Sequence, residues 1–266
     1  MYRQGTFVSY KKSMKTIALL NQKGGVAKTT TSINLAYGLS KEYKVILIDL
    51  DPQANSTAHF VKLNSFEKSI IDCFRDFKIT KECVIKNVKE QLDLIPSNLS
   101  FNKCETEIRA DITKRQDNRL ALILKELEKD YDYCIIDCPP TLSLITANVI
   151  VADPVLIIPI KPSIDALTGF INTYSNIEAT NQGYGIDVQY KILLTQINRN
   201  NTDKNFISEL ENQPQIKSNI LKTQIRYQAS PVEKAKKTSS FVIDSKENVG
   251  IDYKNLLNEV IRMGDK

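Results

Sequence analysis

Ten residues near the start of the chain have the composition of a phosphate-binding loop. Asn21 to Thr30 read NQKGGVAKTT, and they follow an apolar run and precede a helical pattern. Gly24 and Gly25 allow backbone N–H groups to turn towards phosphate oxygens without a Cβ in the way. The following helix adds unpaired N–H groups and a partial positive charge at its N-terminus. The segment therefore predicts a nucleotide site, and a plain Gly-Gly turn is the alternative.

The end of this loop carries the side chains that such chemistry needs. Lys28 can reach the β- and γ-phosphates, and the Thr29 hydroxyl can bind Mg²⁺. The general pattern GxxxxGK[ST] is not met, because Gln22 and Ala27 occupy its two glycine positions. If the loop requires a positive φ at Ala27, the Cβ costs about 1–2 kcal/mol. A cost of that size would weaken nucleotide binding about tenfold.

Two further apolar runs end in aspartates. The letters DLDPQ begin at Asp49, and the letters DCPP begin at Asp137. Because the carboxyl ends of parallel strands face one crevice, these carboxylates are expected beside the phosphate loop. Asp137, at the end of an apolar strand, is expected to hold Mg²⁺ opposite Thr29. Pro52 stops a central strand, so Asp51 begins a loop. Asp49 either supports the Mg²⁺ site or is satisfied by nearby backbone.

The elements that must position these motifs are short apolar runs rich in β-branched residues. The runs are continuous rather than alternating, which indicates a parallel sheet covered on both faces. Helical patterns lie between them over Thr29–Ser40 and Asn118–Lys129, and Tyr253–Met263 predicts a terminal helix packed on the body. This order predicts an α/β fold with a doubly wound, mostly parallel twisted sheet and helices on both faces. The predicted strands are Thr16–Leu20, Val45–Leu50, Leu92–Ile95, Tyr133–Asp137, Val155–Ile160 and Lys191–Ile197.

Composition excludes several other classes of protein. The 266 residues are 42% hydrophobic and 25% charged, which is ordinary for a globular chain. The longest apolar stretch, Ala147 to Ile160, is interrupted by Asp153 and is shorter than the ~20 residues of a membrane span. Five cysteines without CxxC spacing and one histidine argue against a disulfide scaffold and a zinc site, and fit a reducing cytosol. No linker divides the chain, so we expect one domain over 14–266. A basic arm at 1–13 precedes it, and disorder is one interpretation of this arm.

The formal net charge of +5 is unevenly distributed. Residues 1–15 carry +4, residues 217–237 carry +5, and the remainder carries −4. A mildly acidic body with two basic segments suggests a localised anionic partner, and a solvated lysine-rich face is the alternative.

In combination, these motifs resemble those of the ParA/Soj/MinD group of P-loop ATPases, which have a deviant Walker A loop. The loop matches KGGxGK[ST][ST] with Ala27 at the third glycine, and DPQ at Asp51 and DCPP at Asp137 follow in family order. The resemblance spans roughly residues 14–263. It implies ATP and Mg²⁺ as ligands, and it implies that Lys23 reaches across a dimer to the partner's nucleotide.

The resemblance also implies roles for individual residues. Asp51 orients or activates the attacking water, Asn198 binds the adenine edge, and basic residues of a distal segment, Thr223–Asp244, bind DNA. The expected catalytic residues are Lys23, Lys28 and Asp51, and the expected metal site is Thr29, Asp51 and Asp137. The expected nucleotide contacts are Lys23, Gly24, Gly25, Val26, Ala27, Lys28, Thr29, Thr30 and Asn198. The expected DNA contacts, in the basic segment 217–237, are Arg226, Lys222 and Lys217.

The function that the resemblance implies is ATP-dependent DNA partition. An ATP-sandwich homodimer would bind nonspecific DNA, and the protein would be cytoplasmic and associated with the nucleoid. A ParB-type centromere-binding partner would stimulate ATP hydrolysis. No membrane partner is expected. The alternatives are a MinD-like membrane-positioning ATPase and a hydrolysis-deficient scaffold that binds DNA or a partner. An electron-transferring reductase of the same superfamily is disfavoured by the cysteine spacing.

Overall fold

Eight strands form one sheet in the computed structural model of the chain, which describes residues 13–141, 143–163, 166–198 and 200–263. The strands are Lys15–Leu19 (β1), Val45–Asp49 (β2), Ile85–Lys89 (β3), Leu92–Ile95 (β4), Tyr133–Asp137 (β5), Val155–Ile160 (β6), Tyr190–Ile197 (β7) and Ile220–Arg226 (β8). Their order is β3-β4-β2-β5-β1-β6-β7-β8. Every neighbouring pair is parallel except β3 with β4. The doubly wound, mostly parallel sheet is confirmed.

Helices cover both faces of this sheet. They are Lys28–Leu39 (α1), Asn55–Phe60 (α2), Ile70–Arg75 (α3), Cys104–Ala110 (α4), Arg119–Leu127 (α5), Leu144–Val151 (α6), Ala166–Tyr184 (α7), Asn201–Glu211 (α8), Pro214–Lys217 (α9), Ala229–Thr238 (α10) and Asn248–Met263 (α11). Alternate residues of β1 enter opposite cores, because successive side chains of a strand point to opposite faces. Ala18 packs in the core beneath α3 to α8, whereas Ile17 and Leu19 pack in the core beneath α1 and α11.

The six predicted strands lie within one residue of the observed strands. The sequence analysis missed β3 and β8, which are the two edge strands of the sheet. Both edge strands keep exposed polar residues, so neither reads as a continuous apolar run. The basic segment 217–237 is consequently not one unit. It comprises the end of α9, the strand β8 and the helix α10.

The terminal helix α11 begins five residues before the predicted helix and packs on the body as expected. Its buried residues include Val249, Tyr253, Leu256 and Val260, which share one core with α1 and β8. None of the described helices is long and apolar enough to cross a membrane. The basic arm predicted over residues 1–13 lies outside the described residues except for Ser13.

Candidate nucleotide-binding site

The predicted phosphate loop connects β1, in the middle of the sheet, to α1. Gly25 has φ 74° and Ala27 has φ 68°, so both residues adopt the left-handed conformation. The positive φ considered for Ala27 is therefore real, and its Cβ carries a conformational cost. A Cβ added at Gly24 or Gly25 would meet no other atom within 4 Å. The space above these glycines is open, as a bound phosphate requires.

Lys28 opens α1 and turns back into the loop. Its Nζ donates to the carbonyl oxygen of Asn21 at 2.8 Å and to that of Lys23 at 3.0 Å. Burial lowers the pKa of Lys28, and the nearby carboxylates of Asp137 and Asp51 oppose that change. The ammonium group thus lies inside the loop that would hold phosphates.

Asp137, the last residue of β5, is buried at the same edge of the sheet. It accepts hydrogen bonds from the hydroxyls of Ser56 at 2.6 Å and Ser32 at 3.2 Å. Burial raises its pKa, and hydrogen bonds from the hydroxyls of Ser56 and Thr29 oppose the rise. Thr29 and Asp137 are therefore together, as the Mg²⁺ prediction requires.

Asp49, the last residue of β2, pairs with Asp137 in the sheet register. Its carboxylate accepts from the Asp51 N–H at 3.0 Å and from both the N–H and the hydroxyl of Thr57 at 2.8 Å. Burial and the charge of Asp137 raise the pKa of Asp49 to about 8. Two backbone N–H groups and one hydroxyl thus satisfy Asp49. Its support of the Mg²⁺ site stays a prediction.

Asp51 lies just beyond the end of β2, as Pro52 predicted. Its Oδ1 accepts from the N–H of Gln53 at 2.9 Å, and its carbonyl oxygen accepts from the N–H of Ala54 at 2.8 Å. The carboxylate is half-buried and lines the same cleft as Lys28 and Thr29. Its position suits a group that binds a water beside phosphate.

The cleft has a volume of about 790 Å³ and runs from the phosphate loop along the gap between α2 and α10. Seven of the predicted nucleotide and catalytic residues line it, namely Gly24, Gly25, Ala27, Lys28, Thr29, Thr30 and Asp51. Val26 is buried behind the loop. Lys23 is half-buried, and its Nζ donates to the hydroxyl of Ser163 at 2.7 Å.

Gln196 is a cleft residue that the sequence analysis missed. Its backbone has φ 56°, and its side-chain amide donates to the carbonyl oxygen of Gly25 at 2.5 Å. Asn198 lies outside the cleft lining, and its amide donates to the carbonyl oxygen of Gln196 at 3.3 Å. The adenine contact of Asn198 stays a prediction. Gln196 is also an amide side chain at the end of β7, so the same signal could have identified it.

The residues at this edge fit a nucleotide with Mg²⁺. Carboxylate and hydroxyl oxygens are ligands that Mg²⁺ prefers, with water and substrate phosphates completing its coordination. Thr29, Asp51 and Asp137 supply such oxygens, and the open loop faces them. Across the described residues, no group of three or more His, Cys, Asp or Glu side chains could hold a metal by itself.

The predicted DNA contacts lie on two elements, with Lys217 on α9 and both Lys222 and Arg226 on β8. Lys217 ends α9 and Lys222 lies on β8, and both are exposed. Arg226 instead forms a bidentate ion pair with Asp252 of α11 and also donates to the Asn248 carbonyl oxygen at 3.1 Å. The structure therefore gives Arg226 a contact within the chain, and its DNA contact stays a prediction. Exposed lysines on α10 were not among the predicted contacts, and they are Lys234, Lys236 and Lys237.

A phosphate loop after the central strand, with aspartates at the ends of two neighbouring strands, defines the fold of a P-loop NTPase. Residues 14–190 match a family described as an AAA domain. The chain belongs to the ParA/Soj-type partition ATPases, which have a deviant Walker A loop.

Known proteins of this family are similar over most of the chain. The sporulation initiation inhibitor protein Soj of Bacillus subtilis is 35% identical over 205 residues, which cover 74% of this chain and 79% of Soj. The chromosome partitioning protein ParA of Myxococcus xanthus is 35% identical over 187 residues, covering 68% of this chain and 64% of that protein. A putative plasmid partition protein of Borrelia burgdorferi bound to AMPPNP is similar in structure. It has 26% identity and a TM-score of 0.77, covering 95% of this chain and 100% of that chain.

Proposed function

We propose that this protein is an ATP-dependent DNA partition protein that hydrolyses ATP. The observation that carries the proposal is the convergence of Lys28, Thr29, Asp51 and Asp137 on one edge of the sheet beside an open phosphate loop. Similarity to Soj and ParA supports the biological role.

ATP binding would use groups that the fold already holds in place. Backbone N–H groups at the start of α1 bind phosphate oxygens, and the helix dipole favours their negative charge. Lys28 exchanges its two carbonyl partners for phosphate oxygens, which gains charge-assisted hydrogen bonds. Thr29, Asp137 and Asp51 would hold Mg²⁺, which when bound supplies positive charge beside the phosphates.

Hydrolysis would depend on Asp51. Its carboxylate accepts a hydrogen bond from a water and directs the oxygen lone pair of that water towards the terminal phosphorus. Asp51 can move without breaking β2, because the strand ends before it. Asp49 anchors the first turn of this segment through the Asp51 N–H.

Two subunits would enclose two ATP molecules, with Lys23 of each subunit reaching the nucleotide bound by the other. In the structure Lys23 donates to a neutral hydroxyl, that of Ser163, rather than to a carboxylate. Because the ammonium donor is charged, giving up this hydrogen bond costs about 1.5–3 kcal/mol. Charge-assisted hydrogen bonds to phosphate would offset this cost when a dimer closes, so Lys23 can be redirected to the partner's nucleotide.

DNA binding would follow dimer formation. Lys217, Lys222 and the exposed lysines of α10 present positive charge to DNA phosphates, which carry no sequence information directly. Arg226 contributes less to this surface, because Asp252 neutralises its guanidinium. A ParB-type partner would stimulate hydrolysis and release the DNA, and the protein would be found on the nucleoid.

The decisive experiment measures binding to a DNA duplex of arbitrary sequence with ATP, with ADP and without nucleotide. We expect tight binding only with ATP and Mg²⁺, and an affinity that falls steeply with salt concentration. Lys28→Ala is the matched control, because it removes the nucleotide contact and leaves the basic surface intact. DNA binding whose affinity depends on neither the nucleotide nor the salt concentration would refute the proposal.

The first of the two alternative functions gains no support from the described residues. A MinD-like membrane protein would need an apolar helix face available to lipid, whereas α11 buries that face against α1. Pelleting with liposomes in the presence of ATP tests this directly. The hydrolysis-deficient scaffold was suggested by the strain of a Cβ at Ala27, and Ala27 has the positive φ that causes this strain. A nucleotide-binding titration tests this alternative.

A further inference from the structure

Four aromatic rings meet between α1, α2 and the segment that follows α10. Phe241 stacks on Tyr37 of α1, with ring centroids 3.5 Å apart and planes within 7°. The His59 ring of α2 lies 5.2 Å from Phe241, and Phe60 lies 5.0 Å from His59 and 6.0 Å from Phe241. We call these four residues the ring cluster.

The other end of α2 is bonded to the buried carboxylates of the nucleotide site. Ser56 donates to Asp137 at 2.6 Å, and the N–H and hydroxyl of Thr57 donate to Asp49 at 2.8 Å. The helix spans only six residues, so a displacement of its first turn also moves its last turn. His59 and Phe60 are in that last turn, and α2 therefore joins Asp137 to the ring cluster.

The ring cluster is in turn joined to the basic helix α10. Phe241 follows the end of α10 by three residues, and the N–H of Ser240 donates to the carbonyl oxygen of Ala235 within that helix at 3.0 Å. The next turn is fixed to α1, because the N–H of Ile243 donates to the side chain of Asn34 at 2.8 Å. The position of Phe241 thus constrains the C-terminal end of α10, where Lys236 and Lys237 lie.

His59 contributes to the cluster through its ring. Its Nε2 is buried and has no hydrogen-bond partner among the described residues. Burial and the charge of Lys89 lower the pKa of His59 to about 4, so the ring is neutral at neutral pH. Lys89 Nζ itself lies 5.6 Å from the centre of the Phe241 ring.

We propose that His59 is a positioning residue that couples the ligand state of the nucleotide site to the basic helix α10. Binding of Mg²⁺ and ATP changes the partners of Asp137, which shifts Ser56 and therefore α2. The contact between His59 and Phe241 passes this shift to the end of α10. The inference rests on the proposed binding of ATP and Mg²⁺, and it does not require that α10 binds DNA.

Hydrogen–deuterium exchange of the α10 amides, residues 229–238, tests the coupling with and without ATP and Mg²⁺. In the unaltered chain we expect the ligands to slow this exchange by about threefold or more, in the range of coupling energies between linked sites. His59→Ala should remove most of this effect, although ATP still binds. His59→Phe should retain it, because the ring remains and the nitrogen has no partner to lose.

Two further variants separate coupling from general loss of structure. Phe241→Leu keeps an apolar side chain and should also uncouple α10, so the test survives if His59→Ala does not fold. Tyr174→Leu alters a ring that stacks on Phe170 in the opposite core, and it should leave the coupling unchanged. If ATP and Mg²⁺ bind but do not alter α10 exchange, or if His59→Ala keeps the full effect, the inference is wrong. Loss of DNA binding with intact coupling would count against the proposed function alone.

Discussion

The guanidinium of Arg226 and the carboxylate of Asp252 form a bidentate ion pair that joins β8 to α11. Nε donates to Oδ2 at 2.8 Å, and Nη2 donates to Oδ1 at 2.6 Å. The Asp252 side chain is 9% exposed and that of Arg226 is 26% exposed, so solvent screens the pair only in part. Arg226, the arginine of the basic segment 217–237, therefore stabilises the fold by joining β8 to α11.

The first prediction concerns this pair. Arg226→Ala should lower the free energy of unfolding by about 1–3 kcal/mol, because it leaves Asp252 partly buried without its partner. Urea titration measures the change.

A double change, Lys236→Ala with Lys237→Ala, should alter stability little but weaken DNA binding and reduce its salt dependence. If Arg226→Ala is as stable as the unaltered chain and loses more DNA affinity than the double change, then Arg226 is a DNA contact rather than a residue that stabilises the fold.

Ala27 gives a second prediction, which separates stability from binding. The left-handed conformation is part of the folded loop, where the Ala27 carbonyl accepts from the N–H of Thr31 at 2.9 Å. Ala27→Gly should raise the free energy of unfolding by about 0.5–1 kcal/mol, because the relief of Cβ strain, about 1–2 kcal/mol, outweighs the entropy that glycine adds to the unfolded chain. ATP affinity measured by calorimetry should stay within about twofold. A tenfold gain in affinity would show instead that Ala27 strains the bound state.

The third prediction follows from His59, which is the single histidine of the chain. Its pKa is lowered from 6.5 to about 4, first by burial and then by Lys89. Between these values the folded chain binds fewer protons than the unfolded chain, so stability falls as pH falls from about 6.5 to 4. The loss should reach about 1–2 kcal/mol, allowing for the partial exposure of the ring.

Proton NMR of the one imidazole should show this titration directly, with its midpoint near pH 4. His59→Phe should remove this component from the pH dependence of unfolding. A midpoint near 6.5 would mean that the ring is solvated rather than packed in the ring cluster.

The fourth prediction tests the phosphate loop. Lys28→Ala should abolish measurable ATP binding, because it removes charge-assisted hydrogen bonds worth about 1.5–3 kcal/mol each. Lys23→Ala is the matched control from the same loop, and a single subunit carrying it should still bind ATP. Calorimetry and sedimentation together report the two outcomes. Equal loss of ATP binding in both variants would place Lys23 in the site of its own subunit.

The fifth prediction concerns Asp51. Asp51→Ala should still bind ATP, because Lys28, Thr29 and Asp137 remain, but it should not hydrolyse ATP and should accumulate as a dimer bound to DNA. Phosphate release and DNA retention measure the two effects. Hydrolysis at the normal rate in this variant would remove Asp51 from the mechanism.

Much of the fold followed from local patterns. Continuous apolar runs predicted the six inner strands, because strands covered on both faces carry little polar sequence. The edge strands β3 and β8 were missed because their exposed residues break that pattern. Lys222 and Arg226, which share β8, consequently seemed to belong to a single basic segment.

For the site, the sequence by itself determined the phosphate loop and the strand-end aspartates, because their chemistry depends on residue type and spacing along the chain. Only the tertiary structure decided which groups a side chain contacts when its partners are distant in sequence. It paired Arg226 with Asp252 and placed Gln196 rather than Asn198 in the lining of the cleft. Such pairings depend on how helices and strands pack against each other, and local sequence carries no record of that packing.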